Sequence, residues 1–235
     1  MPTKPISNSA LRDATAHSQN VMSNMRTILT IIGLLIAVEC SAQTLAVSPG
    51  VSYGRFYDTR RAEGHFDKEY NPQFGYSFGI EMKDIALDTV IKVGFAVTYQ
   101  NYGGDFYTRN GGQGGSAYDE GEITKDILGL EFYPINFQLI KKLRLSLGVS
   151  LNALLNYKMS GNHNGTTELN DIDGLVKPYY WGLNSCVGYE FEIGKIIIEP
   201  RYNFYVGLSK EFDKLQAETK SMRQSIQLSI GYKIK

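Results

Sequence analysis

An all-β, eight-stranded antiparallel up-and-down barrel is the fold this sequence predicts, on three observations. Sixteen Tyr and 24 Gly stand beside only 7 Pro, 2 Cys and 1 Trp. Apolar and polar residues alternate with period two through eight long runs, the spacing of strands with two unlike faces. The connections between runs are alternately short and long, as in a meander whose tight turns all lie on one side. Composition excludes the other broad classes. An apolar content of 43% is too high for a disordered chain, and a mean hydropathy of −0.23 is too low for a bundle of membrane helices. Two cysteines do not build a disulfide scaffold. Lys+Arg and Asp+Glu are both 24, so no field of one sign invites nucleic acid.

Residues 1–24 are polar and patternless, and Met25 is an alternative start. Met25-Arg26 then precedes the apolar run 27–38, and Ser41 and Ala42 follow it. A basic start, an apolar stretch and a small-residue cleavage site describe a signal peptide over 25–42. An uncleaved anchor would place Glu39 in the bilayer, at about 2.5–3.5 kcal/mol near its centre. A lipoprotein acylated at Cys40 would carry a small residue where Glu39 stands. The mature chain is therefore expected to be 43–235, one barrel with Cys186 as its single thiol.

The runs follow in order. Leu45, Val47, Val51, Tyr53 and Tyr57 alternate with Ala46, Ser48, Gly50, Ser52 and Gly54. Phe74 to Met82 alternate with Gly75 to Lys83, and Ile91 to Tyr99 with Lys92 to Gln100. Leu128, Leu130 and Phe132 oppose Gly129, Glu131 and Tyr133 in a weaker fourth run. The fifth places Leu143, Leu145, Leu147, Val149, Leu151, Ala153, Leu155 and Tyr157 on one face. The sixth does so with Tyr179, Trp181, Leu183, Val187, Tyr189, Phe191 and Ile193. The seventh spans Ile196 to Leu208 and the last Ile226 to Ile234. Residues 84–88, 138–142 and Gly194-Lys195 are the short turns. Residues 58–73, 101–123, 158–177 and 210–221 read as long polar loops. Outer-membrane barrels have this asymmetry between short periplasmic turns and longer extracellular loops.

Volume decides which face points outward. An eight-stranded interior is only just wide enough for side chains to fill, and the apolar face holds too many Tyr, Phe, Leu and Ile to fit. The other face is rich in Gly and leaves room for long charged chains. The apolar face is therefore expected on lipid, which makes the fold an all-β, eight-stranded antiparallel up-and-down transmembrane β-barrel. Aromatics gather at strand ends, as amphipathic rings do at the two bilayer interfaces. Tyr57, Tyr76, Tyr99, Tyr157, Tyr179 and Trp181 mark the loop side, and Tyr189 and Tyr232 the turn side.

A signal ending Cys40-Ser41-Ala42-Gln43, a Tyr/Gly-rich eight-stranded meander and a final amphipathic strand resemble the PorT-like outer membrane β-barrel proteins of the Bacteroidetes. The resemblance covers about 43–235 and rests on pattern and architecture. It implies a barrel in the cell outer membrane, in contact with outer membrane lipids and inserted by the barrel assembly machinery. It also implies that an envelope protein partner is possible, since some members are linked to secretion. The last strand departs from the proteobacterial pattern by ending in Ile234-Lys235, with Tyr232 close by.

The inward face carries Glu81, Lys92, Glu131, Arg144, Glu190, Glu199, Arg201 and Lys233. Charges in a narrow lumen must pair or hydrogen-bond, so these are read as a charge network that plugs the barrel. Arg201 is expected to pair with Glu199, Glu131 or Glu190. His65 and His163 have no nucleophile at a catalytic spacing, and Asp171 and Asp173 read as a hydrated loop rather than a metal site. The glycines between 103 and 121 precede no helix and form no phosphate cradle. No cofactor or nucleic acid is expected. The function expected is non-enzymatic, a structural or surface-interaction role carried by four loops. The alternatives are an accessory subunit of a secretion or transport assembly and a rim-located lipid-modifying enzyme.

Overall fold

The computed structural model describes residues 44–58, 66–86, 92–112, 115–140, 142–163, 167–170, 176–212 and 219–234. The leader 1–24, the signal segment 25–42, His65, Asp171, Asp173 and the side chain of His163 lie outside the described residues. Among the described residues ten strands form: β1 (Thr44–Asp58), β2 (Phe66–Ala86), β3 (Lys92–Gly112), β4 (Gly115–Ile140), β5 (Leu143–His163), β6 (Thr167–Asn170), β7 (Tyr179–Tyr189), β8 (Phe191–Ile193), β9 (Ile196–Gly207) and β10 (Thr219–Lys233). Every consecutive barrel pair is antiparallel, and β10 also pairs with β1, from Thr44↔Lys233 to Asp58↔Thr219. Both β7 and β8 pair with β9, with Glu190 between them, so the two occupy one place in the ring. The short β6 pairs with the outer end of β5 and lies off the ring. Eight positions therefore close the barrel.

Closure fixes the stagger. Stepping across the ring leads from Leu45 to Met82, Phe95, Phe132, Val149, Leu183, Val206 and Met222, and returns to β1 at Arg55. The displacement is 55 − 45 = 10 residues. With a rise of ~3.3 Å and a strand spacing of ~4.8 Å, the strands tilt by about 40°, within the range of membrane barrels. The Ile193–Ile196 hairpin turns on Gly194, whose φ of +63° is left-handed and costs glycine little.

Side chains alternate as a barrel with lipid outside requires. Along β7 exposure switches residue by residue from Tyr179 to Tyr189. Val51, Phe78, Ile80, Leu147, Val149, Leu151, Leu183, Ile226 and Leu228 are exposed large apolar residues on the outer wall. A water-soluble protein would not present so continuous an apolar band. The residues that alternate with them along each strand face inward and include Gly, Ser, Asn, Gln and charged groups.

The strands run further than the expected loops allowed. The β3–β4 ladder continues without a break from Gly94↔Tyr133 to Gly112↔Gly115, through most of the segment read as a flexible loop. On its flanks β2 begins at Phe66 and β5 continues to His163. Polar, Gly-rich alternation looks like loop in one dimension, but each strand here has a paired neighbour to extend along. A register shift at Asp126/Ile127 adds one residue to β5 and exchanges the faces beyond it.

Leu147→Arg puts a charge mid-strand on lipid and should lower folding stability in bilayers by roughly 2–4 kcal/mol, while Leu147→Phe stays near wild type. Reversible unfolding into denaturant from lipid vesicles measures both. Equal stability of the two variants would place this face away from lipid.

Candidate functional site

The inward-facing residues assemble the polar lumen in tiers. At the turn-side rim the Arg144 guanidinium, carried by β5, bridges Asp84 and Glu190, each at 3.1 Å. Asp84 reaches it from a left-handed backbone, φ 57°, at the bulge that ends the regular pairing of β2 with β3. Lys233 pairs with Glu192 at 2.7 Å in a more exposed position, and Lys92 is exposed. These groups line an open vestibule of about 280 Å³. Lys92 and Lys233 thus belong to the rim, where the wall ends, and not to the enclosed lumen.

Above the rim lies the densest tier. Arg201 on β9 makes a two-pronged contact with Glu81 on β2, across the barrel. The expected partners Glu199, Glu131 and Glu190 are therefore not the ones Arg201 takes. Glu199 pairs instead with Lys83, which also donates to Ser229 Oγ at 2.9 Å. Ser48 donates to Glu81, and Gln227 accepts from Arg201 Nε at 2.9 Å while donating to Ser77 at 3.0 Å. Glu131 accepts from the Tyr133 hydroxyl at 2.6 Å and from Thr98 at 3.1 Å. Glu81 and Glu199 are 4% and 1% exposed, so these charges are held almost without bulk water. Small inward residues make the space: a Cβ on Gly188 would lie 2.0 Å from the Glu199 carboxylate.

Nearer the loop side Arg223 stacks on Tyr205, 3.7 Å from guanidinium carbon to ring centre, and donates to Gln100 at 2.8 Å and Asn152 at 3.0 Å. A Cβ on Gly182 would fall 2.7 Å from the Tyr205 ring. The last tier is Lys125, wholly buried, with Glu211 at 2.5 Å and the rings of Phe56, Tyr102, Tyr180 and Phe212 around its ammonium at 4.7–5.1 Å. The Tyr102 and Tyr180 hydroxyls lie 3.0 Å apart.

Lys83, Lys125, Glu211 and Arg223 are lumen groups beyond the eight charges expected from the alternation. Lys83 was on the polar side of the second run. Arg223 and Lys125 share the inward parity of Gln227 and Glu131, and following that parity back along β10 and β4 finds them. Glu211 precedes β10 in a connection and carries no periodic signal.

The interface aromatics divide. Tyr76, Tyr179 and Trp181 are exposed at the loop-side ends, and Tyr189 and Tyr232 at the turn side. Lys195 lies over Tyr232 at 5.7 Å, and Lys142 over Phe191 at 5.9 Å. Tyr76 and Tyr99 bring their hydroxyls within 3.3 Å, and Tyr99 donates to Asp126 at 2.9 Å. Tyr57 donates to the Gly207 carbonyl at 2.8 Å. Tyr157 lies beyond the β5 bulge and packs against the inner cluster of Phe56, Tyr102, Tyr180 and Phe212. Its ring belongs to the barrel interior, because the extra residue reversed the parity that had put it on lipid. Among the described residues no group of three or more His, Cys, Asp or Glu is placed to hold a metal ion.

Comparison with known proteins follows from this architecture. Residues 42–213 match the family model described as outer membrane protein beta-barrel domain. Among solved structures, neisserial surface protein A is similar at 13% identity, with a TM-score of 0.43, covering 81% of this chain and 97% of that one. The outer membrane protein OprG of Pseudomonas aeruginosa is similar at 10% identity and a TM-score of 0.38, covering 83% and 97%. Ail, the attachment invasion locus protein of Yersinia pestis, is similar at 11% identity and a TM-score of 0.33, covering 80% and 98%. A search of curated proteins finds no match to the sequence.

Arg201→Ala strands the Glu81 carboxylate in a confined site and should cost about 3–5 kcal/mol. The paired change Arg201→Met with Glu81→Gln removes both charges and should recover most of that loss. Denaturant titration of the single and double variants decides it, and an equal loss in both would mean that the charges are not coupled.

Proposed function

This chain belongs to the outer membrane protein beta-barrel domain family, and from that premise we propose a non-enzymatic barrel with a plugged lumen, whose work is done by what it presents at the cell surface. The barrel resides in the outer membrane. The observation that carries the proposal is the tier of Glu81, Arg201, Lys83 and Glu199. Four charged side chains reach across an eight-stranded interior and consume one another's charge. An open pore would instead keep its charges hydrated and facing a water column.

The same observation weighs against catalysis in the lumen. A catalytic carboxylate or lysine needs a free valence toward substrate, and here Glu81, Lys83 and Glu199 are each engaged by groups of the barrel itself. The architecture supports the surface-interaction role. A rigid scaffold carries four connections on one side, and β2 to β5 extend on that side past the outer aromatic residues, which raises a paired, polar platform above the bilayer. Segment 25–42 acts as the signal peptide that sends the chain to the envelope, and the barrel assembly machinery inserts it. The kinship is to PorT-like barrels of the Bacteroidetes, supported by the Tyr/Gly-rich meander and the signal ending Cys40-Ser41-Ala42-Gln43.

Single-channel recording in planar bilayers tests the plugged lumen: the barrel should give no steady conductance, and porin-like steps would overturn the reading. Co-purification after mild crosslinking tests the surface role. The expected result is a barrel recovered without a stoichiometric envelope partner, and a stoichiometric one would make the chain an accessory subunit.

A further inference from the structure

The loop-side mouth of the lumen is closed by chain that is not barrel wall. After β9 ends at Gly207, the backbone stays beside the first residues of β7. The Leu208 and Ser209 amides donate to the Trp181 carbonyl at 3.0 and 3.2 Å, and the Trp181 amide donates to Ser209 Oγ at 2.8 Å. Two residues later the chain turns into the barrel, and Glu211 and Phe212 are 0% exposed. Phe212 bridges antiparallel to Val176, the Lys177 amide donates to the Glu211 carbonyl at 2.8 Å, and the Glu211 amide donates to Thr219 at 3.0 Å.

Side chains hold this segment from within. The Glu211 carboxylate takes Lys125 Nζ at 2.5 Å, the Ser221 amide at 3.0 Å and the Ser221 hydroxyl. Phe212 fills one side of the aromatic box around Lys125, meeting Phe56 edge-on at 5.3 Å. The two charges sit on different kinds of structure. Lys125 is on a wall strand paired on both sides, whereas Glu211 is on a connection between strands that is held by backbone contacts at Trp181, Val176, Lys177 and Thr219. A buried pair of this kind is strongly destabilised when one partner is lost, and the connection is the partner free to leave.

We propose that Ser209–Phe212 is a lid over the loop-side mouth, clasped to the wall by Lys125 through Glu211, and that its release opens the outer half of the lumen to small solutes. The Glu81–Arg201 tier below stays in place, so the lid governs entry and not passage. The proposal rests on the plugged-lumen reading and adds a movable outer closure to it.

Ile127 is 0% exposed, in the cluster that includes Phe212, and reports on the space beneath the lid. In a Cys186→Ser background, an Ile127→Cys barrel in lipid vesicles is treated with a membrane-impermeant maleimide. Glu211→Gln or Phe212→Ala should raise the labelling rate at least tenfold over the lid-intact barrel. Trypsin should also cut the Lys210–Glu211 bond at least tenfold faster. Heat-modifiable gel migration confirms that each variant is folded. Should one of these changes prevent folding, the other serves in its place, and Ser209→Ala, which removes the hydroxyl that accepts from the Trp181 amide, serves if both do. Folded variants in which the introduced thiol stays closed, or in which trypsin cuts no faster, overturn the lid. Labelling of the lid-intact barrel at the released rate does so as well. Steady conductance of the wild-type barrel would instead sink the plugged lumen, and the labelling comparison would still stand or fall on its own.

Discussion

The pairing of β10 with β1 is the interaction on which the remaining structure depends. In hydrocarbon every backbone N–H and C=O must find a partner within the protein, and only closure removes the two sheet edges that would otherwise face lipid. Closing eight strand positions with a stagger of ten residues sets the tilt and leaves a narrow interior. The outer wall is then free to be apolar throughout, while the inner wall must fill a fixed volume with groups that satisfy one another. Glycine and serine on the inner face are as necessary to this as the charges. Gly188 lies against Glu199 and Gly182 against Tyr205, each where a methyl group would collide.

The lumen is layered by charge. Arg144 bridges two acids at the turn-side rim, and the Arg201–Glu81 and Lys83–Glu199 pairs lie above it. Arg223 stacks on Tyr205 higher still, and Lys125 ends the series beneath the loop side. Each pair offsets a desolvation penalty of several kcal/mol per ion by close contact and further hydrogen bonds. The tiers specify the interior more than they stabilise it, since an apolar filling of the same volume would do as well for stability alone. What charge adds is selectivity against misregistered closure. A slip of one residue turns the inner set toward lipid.

Much of this was legible in one dimension. The alternation from Leu143 to Leu151 gives strand and face together, and the volume argument tells inside from outside. Height along the barrel axis was not legible. Arg201 and Glu81 are 120 residues apart and meet only because stagger and closure bring β9 and β2 to one level. Glu199, two residues from Arg201 on the same strand, looked nearer and is not its partner. Local bulges were equally hidden. The extra residue in β5 carried Tyr157 from the outer face to the inner cluster, and no period-two pattern records such an insertion. Extension of β3 and β4 past the aromatic belt was lost because Gly, Asn and Asp in a paired strand look like Gly, Asn and Asp in a loop.

The central claim is that the lumen is packed by buried, mutually paired charges and excludes a water column. Side-chain ¹⁵N NMR of the barrel in lipid nanodiscs reads this directly at Arg201 and Arg223. Packed guanidinium groups restrained by Glu81 and Tyr205 should give separate, slowly exchanging Nη resonances. Collapsed signals exchanging with solvent at the rate of an exposed arginine would contradict the account.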